Sequence, residues 1–413
     1  SDVFKNLLSR TRSGVILSHS SSLLPWVKKS KRLKVSTFEL EDDSADYMAS
    51  NRDASIACAT MMGADVDQVN FKKFPGMERR QSTLFEDANR LILEDYAHHP
   101  TEIRAFLADR RKKFPDHWMK VVFQSHRYSR TKAFAESFAE ELSVADELNF
   151  LPTYGAFEDY DAEGDAEALA GYLPPRLRAT TKIFADYPSF MKGKIGTEDK
   201  SISDQVLFLG AGNIEGWAHA FAAIHHRKGD RVSAFSYFLK DRLSHKCVLR
   251  KDESLASKTT MRVGGTALWY AEPKHTEDLR RLVEASNYYS IPRVMLGRGS
   301  NLIIPDEGYD GLVLRLRGEF WKEISPRSDD SFIVGAGARL NDICKLACQQ
   351  ELVGFEFLEG IPGTLGGALR MNAGAMGWEI YDLVEWVSFL LPDGSIREIP
   401  GNQLNIGYRF CQE

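Results

Sequence analysis

The sequence predicts an α/β part followed by an α+β part, and three observations carry that expectation. Between about residues 77 and 226, apolar strands alternate with helical stretches, the pattern of a largely parallel, doubly wound sheet. After Thr259 the strands shorten and glycine-dense turns separate them: RVGG, LGRGSN, VGAGARL and EGIPGTLGGALRMNAGAMG. Between these two textures lie the charged runs HHRKGDR, KDRLSHK and RKDES. The expected organisation is therefore 1–76, 77–228, a linker at 229–257, and 258–413.

In chain order, SGVILS and LKVSTFEL read as short strands and RDASIACATMMGA as a helix of small residues. FPGMERRQ supplies a turn with two adjacent arginines. Strand RLILEDYA leads to helix PTEIRAFLADRRKKF, where Pro100 fits the first turn because its missing N–H is not needed there. MKVVFQS leads to a helix beginning near Ser129, ELNFLPTY ends in a loop, and QVLFLGAG opens into helix NIEGWAHAFAAIHH.

Bulk properties narrow the partners. A formal charge of -5 gives no basic excess for nucleic acid, which leaves small molecules or proteins. Five cysteines without framework spacing point to a reducing, cytoplasmic setting. Cys344 and Cys348 lie one helical turn apart; without a Cys/His partner set they read as two small buried residues rather than a metal pair. No apolar run has the roughly 18 residues of a membrane span, and no signal peptide is evident. Ser1 at the start and Glu413 just after NIGYRF lead us to expect a fragment of a longer chain.

The chemistry of the second half centres on glycine. VMLGRGSNLIIPD reads as strand, Gly-x-Gly-Ser-Asn turn, and strand. Gly297 and Gly299 let the backbone approach a ligand, and successive N–H groups there suit a pyrophosphate. Taken singly the motif is equally a hairpin turn without ligand. GIPGTLGGALRMNAGAMG adds six glycines in one span, with Thr364 and Asn372 as polar handles. Such density suggests a backbone laid along a flat or phosphate-bearing ligand, and it is not the dinucleotide fingerprint of a strand–helix turn.

TTMRVGGTALWYAEPKHTEDL, VMLGRGSNLIIPDEGYDGLVL, VGAGARLNDICKLA, GFEFLEGIPGTLGGALRMNAGAMGWEI and NIGYRF together resemble the UDP-N-acetylmuramate dehydrogenase (MurB) family from about Leu255 onward. The resemblance implies an FAD-binding domain of the vanillyl-alcohol-oxidase/PCMH type. It also implies NADPH-dependent, FAD-mediated reduction of UDP-N-acetylenolpyruvoylglucosamine. It assigns Gly297, Arg298, Gly299, Ser300, Asn301 and Leu302 to an FAD pyrophosphate loop. Ile361, Pro362, Gly363, Thr364, Gly366, Gly367, Asn372, Ala373 and Gly374 become the second wall of the flavin site. Tyr408 becomes a substrate contact, and Arg409 the catalytic arginine near the substrate carboxylate. There a guanidinium fork offsets negative charge building toward the carboxylate. Met376 stands where the family often has tyrosine, and the family's proton-donating serine and catalytic glutamate are expected beyond Glu413. Cys411 reads as structural.

In the first half, EDYAHHPTEI and FQSHRYSRT each place polar side chains at a strand end before a helix, where phosphates and carboxylates bind in parallel sheets. Each alone is equally a polar strand end, and the adjacent histidines point apart and make a poor metal pair. Together with FPGMERRQ and FLGAGNIEG they resemble the Mur ligases, the UDP-N-acetylmuramate–L-alanine ligase (MurC) family in particular, over about Lys31–Ile224. The resemblance implies a Rossmann-like Mur ligase C-terminal domain at 77–228, preceded in 1–76 by a remnant of the central ATP-binding domain. It implies ATP with Mg²⁺, L-alanine and UDP-sugar substrates, with Arg80, Asp95, His98, His99, Arg127 and Arg130 as contacts. No G-x-x-x-x-G-K-[ST] loop occurs, so the ATP phosphate cradle is expected upstream of Ser1. Ser125 and Glu215 stand where the family has proline and glycine. The whole reads as a ligase–reductase fusion of peptidoglycan precursor synthesis. The rivals are another flavin oxidoreductase of the same fold and a non-catalytic scaffold.

Overall fold

The computed structural model describes residues 14–18, 34–38, 55–63, 78–193, 203–328 and 330–412. It divides into two compact units, Ser1–Ala218 and His219–Glu413. The FPGM of FPGMERRQ and the expected boundary at 76/77 lie outside the described residues.

In the first unit, β1 (Gly14–Ser18) pairs in parallel with β2 (Lys34–Phe38). A helix spans 55–61. The main sheet comprises β3 (Ser82–Glu86), β4 (Arg90–Asp95), β5 (Trp118–Phe123), β6 (Glu147–Phe150), β7 (Lys182–Ile183) and β8 (Asp204–Leu209). Its order is β3-β4-β8-β5-β6-β7, parallel except for the antiparallel edge strand β3. Every residue of β8 is buried, and β4 and β5 are buried over five of six positions. Continuous burial is what a central parallel strand covered on both faces requires.

Helix Pro100–Lys113 buries Ile103, Phe106, Leu107 and Arg110, the i, i+3, i+4, i+7 stripe of a helix lying on a sheet. Pro100 occupies its first turn as expected, and four basic residues complete its last turn, where they meet the negative end of the helix dipole. Beneath the sheet, Asp204 at the start of β8 accepts bonds from Arg90 on β4 (2.7 Å) and Lys120 on β5 (2.8 Å). Strands β3 and β7 were not read from the sequence.

The second unit holds a four-stranded sheet of β9 (Val248–Ser254), β10 (Thr266–Glu272), β11 (Arg293–Met295) and β12 (Tyr309–Leu314), in the order β11-β12-β10-β9. Helix Thr276–Tyr288 connects the parallel strands β10 and β11 through Leu279, Leu282 and Val283. Short paired strands and helices Leu340–Gln349 and Leu365–Arg370 follow, around a core of Leu340, Ile343, Phe357, Leu358, Ala368, Ala373 and Ile380. The α/β then α+β reading holds.

Three local expectations do not. The segment read as a linker contains helix Arg231–Leu239 and strand β9. Its charged flanks conceal an apolar face in which Phe235 meets Trp269 at 5.5 Å and Phe238 meets Tyr288 at 5.6 Å. LIIPD forms no strand: Pro305 lacks an N–H and its carbonyl accepts from Gly265 and Gly308 (both 2.9 Å), which turns the chain. Cys344 is half-buried and Cys348 exposed, because helix Leu340–Gln349 buries its Leu340, Ile343, Ala347 stripe instead. Among the described residues no helix is long and apolar enough to cross a membrane.

Candidate functional site

In the second unit β11 ends at Met295 and the chain turns through LGRGSN. Gly299 takes φ +67, and a Cβ there would stand 2.7 Å from the Thr259 Cα and 3.0 Å from the Lys258 carbonyl. Only glycine fits a left-handed turn pressed that closely on backbone. The Gly299 carbonyl accepts from Thr260 N–H at 3.1 Å, and Ser300 Oγ donates to the Pro362 carbonyl at 2.9 Å. The two glycine segments thus face each other. A third segment closes the far side, where Leu365 and Gly366 donate to Ala338 and Ala336 (2.9 and 2.8 Å).

Together they enclose a cavity of about 410 Å³, within the range of small-molecule sites. From the first loop Gly297, Arg298, Gly299, Ser300, Asn301 and Leu302 line it. From the second, Ile361, Pro362, Gly363, Thr364, Gly366, Gly367 and Ala373 do so. Leu316, Ala336, Gly337, Leu340 and Arg370 also line it, unforeseen from the sequence. The VGAGARL turn that supplies three of these was visible as glycine-rich but had no ligand logic of its own.

The lining has three arginines, Arg298, Arg370 and Arg409, and no carboxylate. An electropositive cavity with exposed glycine backbone on one side and apolar side chains on the other fits a pyrophosphate joined to flat rings. These residues therefore fit FAD.

A second cavity, of about 420 Å³, adjoins Arg409 from the other side. Asn372 and Gly374, expected in the flavin wall, line this one and not the first, together with Trp378, Glu379, Asp382 and Tyr408. Asn372 takes φ +40 just after helix Leu365–Arg370, and Ala373, between Asn372 and Gly374, still lines the first cavity, so this stretch borders both. Arg409 lines both. Met376 is 83% exposed at the tip of a tight hairpin with Gly377, both at positive φ. Cys411 is buried, and its sulfur accepts from Tyr381 OH at 3.0 Å. Burial, with that contact, raises the Tyr381 pKa.

In the first unit the polar strand ends of β4 and β5 come together. His98 sits 5.9 Å from His126, ring to ring, and His126 stacks on Tyr154 at 5.5 Å. Burial, then Arg130, His98 and Arg127, hold the His126 imidazole below its ordinary value. His126 Nδ1 and Arg130 Nη1 are both buried without a hydrogen-bond partner. Arg127, with φ +71, is exposed beside them. Arg80 lies 5.4 Å from the Tyr96 ring. This cluster of donors and cations suits an anion.

Other expected contacts have internal partners. Asp95 accepts from the N–H groups of Gln81 (2.9 Å) and Ala97 (2.8 Å). His99 caps helix Pro100–Lys113, accepting from Thr101 N–H at 3.4 Å. His98 Nδ1 lies 2.9 Å from the Tyr96 carbonyl. Arg79, not singled out from the sequence, donates to the carbonyls of Gly210 (3.0 Å) and Gly212 (3.2 Å) and so fixes the FLGAG loop. Ser125 pairs with Thr153 at 2.7 Å, and Glu215 approaches Arg79 at 3.7 Å.

Residues 267–400 match a family described as an FAD binding domain. The chain is 37% identical over 161 residues to a UDP-N-acetylenolpyruvoylglucosamine reductase of Anoxybacillus flavithermus, covering 39% of this chain and 53% of the relative. Among solved structures, it is 35% identical to UDP-N-acetylenolpyruvylglucosamine reductase (MurB) from Thermus caldophilus, covering 40% of this chain and 56% of that one, with a TM-score of 0.34. It is 26% identical to UDP-N-acetylmuramate-alanine ligase MurC from Thermotoga maritima, covering 45% and 39%, with a TM-score of 0.35. The chain spans about half the length of the curated reductases it matches. Its second half is thus similar to an FAD binding domain over residues 267–400 and to part of the UDP-N-acetylenolpyruvoylglucosamine reductases.

Proposed function

We propose that the second unit is the flavin-binding part of an enzyme that reduces UDP-N-acetylenolpyruvoylglucosamine at the expense of NADPH. In this proposal the first unit is the C-terminal part of an ATP-dependent ligase that joins L-alanine to the product, UDP-N-acetylmuramate. The observation that carries the first proposal is that two glycine segments and three arginines meet in one cavity bordered by Arg409.

In this reading bound FAD supplies the hydride. Arg298 and the Gly297–Asn301 backbone would hold its pyrophosphate, while Leu316, Leu340 and Ile361 would exclude water from the cavity. Arg409, reaching both cavities, takes the substrate carboxylate in a bidentate grip that strengthens as negative charge builds there. For the ligase, His126, Arg127 and Arg130 are the groups that meet an anionic substrate. The sequence holds no Walker-type loop to cradle the ATP phosphates.

The test is a visible absorption spectrum of the purified chain after incubation with FAD and desalting. A retained flavin band supports the reading, and its absence argues against the cradle. A covalent flavin with oxidase activity in the absence of NADPH points instead to another oxidoreductase of this fold.

A further inference from the structure

Arg409 sits on a hairpin whose strands, Asn405–Gly407 and Phe410–Gln412, pair with Gly407 opposite Phe410. Tyr408 and Arg409 are its two turn residues, and Arg409 takes φ +62. A two-residue turn carrying long exposed side chains has little of its own to fix its tilt. Tyr381 holds Cys411 by its sulfur, and two further bonds to the hairpin backbone come from the glycine-rich segment. Asn372 Nδ2 donates to the Gly407 carbonyl at 3.3 Å, and Arg370 Nη1 donates to the Cys411 carbonyl at 2.8 Å. The same Asn372 nitrogen donates to Glu379 Oε2 at 2.7 Å.

Both carboxamide protons are thereby committed, one to a carboxylate and one to the hairpin backbone. Asn372 is 3% exposed, and its Oδ1 has no hydrogen-bond partner. Its φ of +40 lies in the region that asparagine tolerates better than other side chains. The residue lines the second cavity, and its neighbour Ala373 lines the first.

We propose that Asn372 is a positioning residue. It acts through Gly407 to hold Arg409 at the border of the two cavities and makes no contact with flavin. The proposal deepens the reading of the first cavity as the FAD site and rests on it for the role of Arg409. It does not rest on it for the clamp. Glu379 orients the carboxamide, the carboxamide fixes the turn, and the turn sets where the guanidinium lies.

The experiment compares the parent chain with Asn372→Gly, which removes the amide but tolerates the positive φ, and with Asn372→Asp, which keeps the shape but exchanges donor for acceptor. Amide hydrogen exchange of the 405–412 hairpin is measured first, without flavin. Both variants are expected to exchange there about tenfold faster than the parent at pH 7. The ratio of Asn372→Asp to parent is expected to return toward one as pH falls and the carboxyl regains a proton to donate. In the second stage each chain is incubated with FAD and desalted. The variants are expected to retain as much flavin as the parent.

Unchanged hairpin exchange in both variants overturns the proposal. So does loss of flavin with an undisturbed hairpin, which makes Asn372 a flavin contact. A variant that does not fold leaves the other to decide. A parent chain that retains no FAD refutes the flavin reading, while the exchange comparison still decides the clamp.

Discussion

Ser300 Oγ donates to the carbonyl of Pro362 at 2.9 Å, a bond between residues 62 apart in sequence that latches the two glycine segments across the mouth of the first cavity. Neither segment belongs to an extended sheet there, so such single bonds set the width of the cradle.

Ser300→Ala removes the donor without adding bulk. The bond is exposed, so its net worth lies toward the lower end of about 0.5–1.5 kcal/mol. FAD is expected to bind about two- to threefold more weakly, with no comparable loss in thermal stability. Titration of FAD against intrinsic fluorescence reads the first, and a melting curve the second. Unchanged affinity would show that the latch does not set the cradle.

The two glycines of the first loop make different demands. At Gly299 an added methyl meets backbone, in a conformation costing about 1–2 kcal/mol for any other L-residue. At Gly297 the nearest atom is Thr364 Oγ1 at 2.9 Å, a side-chain end that rotates away. Gly299→Ala should therefore abolish FAD retention after desalting, and Gly297→Ala should only weaken it. The reverse order would mean that flavin meets the loop at Gly297 and that the turn at Gly299 is pliable.

These details mark where the sequence was readable. The strands β4, β5 and β8 were legible as near-continuous apolar runs, which burial on both faces requires, and helix Pro100–Lys113 by the apolar stripe it lays on the sheet. The glycine loops were legible as a cradle because so much glycine has no use in a core. The position of Asn372 was not, since Asn372 and Gly374 line the second cavity while Ala373 between them lines the first, and that alternation leaves no pattern in composition. Arg79 was hidden for a similar reason: its partners, Gly210 and Gly212, lie more than 130 residues away. Helix Arg231–Leu239 was masked by the charges on either side of it.

Asp204 gives a prediction about stability. Burial opposes its ionised form, but the bonds and charges of Arg90 and Lys120 outweigh burial and hold it below the ordinary carboxylate value. Asp204→Asn leaves the Lys120 ammonium, fully buried, without its counter-charge. The expected cost is about 3–5 kcal/mol in denaturant unfolding. Adding Lys120→Met should restore a large part of it. A depressed carboxylate contributes stability above its unfolded value of about 3.9, lost as pH falls through the folded value. The parent should thus lose stability in acid more steeply than the double variant. Equal costs for the single and double variants would show that the charge pair is not what holds these strands.

His126 gives a dependence of opposite origin. Its imidazole is held below the ordinary value by burial and by Arg130, His98 and Arg127, so the unfolded chain takes up that proton at a higher pH than the folded one. The unfolded state binding more protons means that stability rises with pH. The contribution is complete above the unfolded value of about 6.5 and falls as pH drops through it. His126→Phe keeps a ring to stack on Tyr154 but has nothing to titrate. Melting temperatures at pH 8 and 5.5, in low salt, should differ less for this variant than for the parent. Pyrophosphate offers a further discrimination. An anion at the unpartnered Arg130 Nη1 and His126 Nδ1 favours the charged imidazole, so pyrophosphate should stabilise the parent more at pH 5.5 than at pH 8. Stabilisation independent of pH, or equal in His126→Phe, would place the anion elsewhere and remove His126 from the proposed anion site.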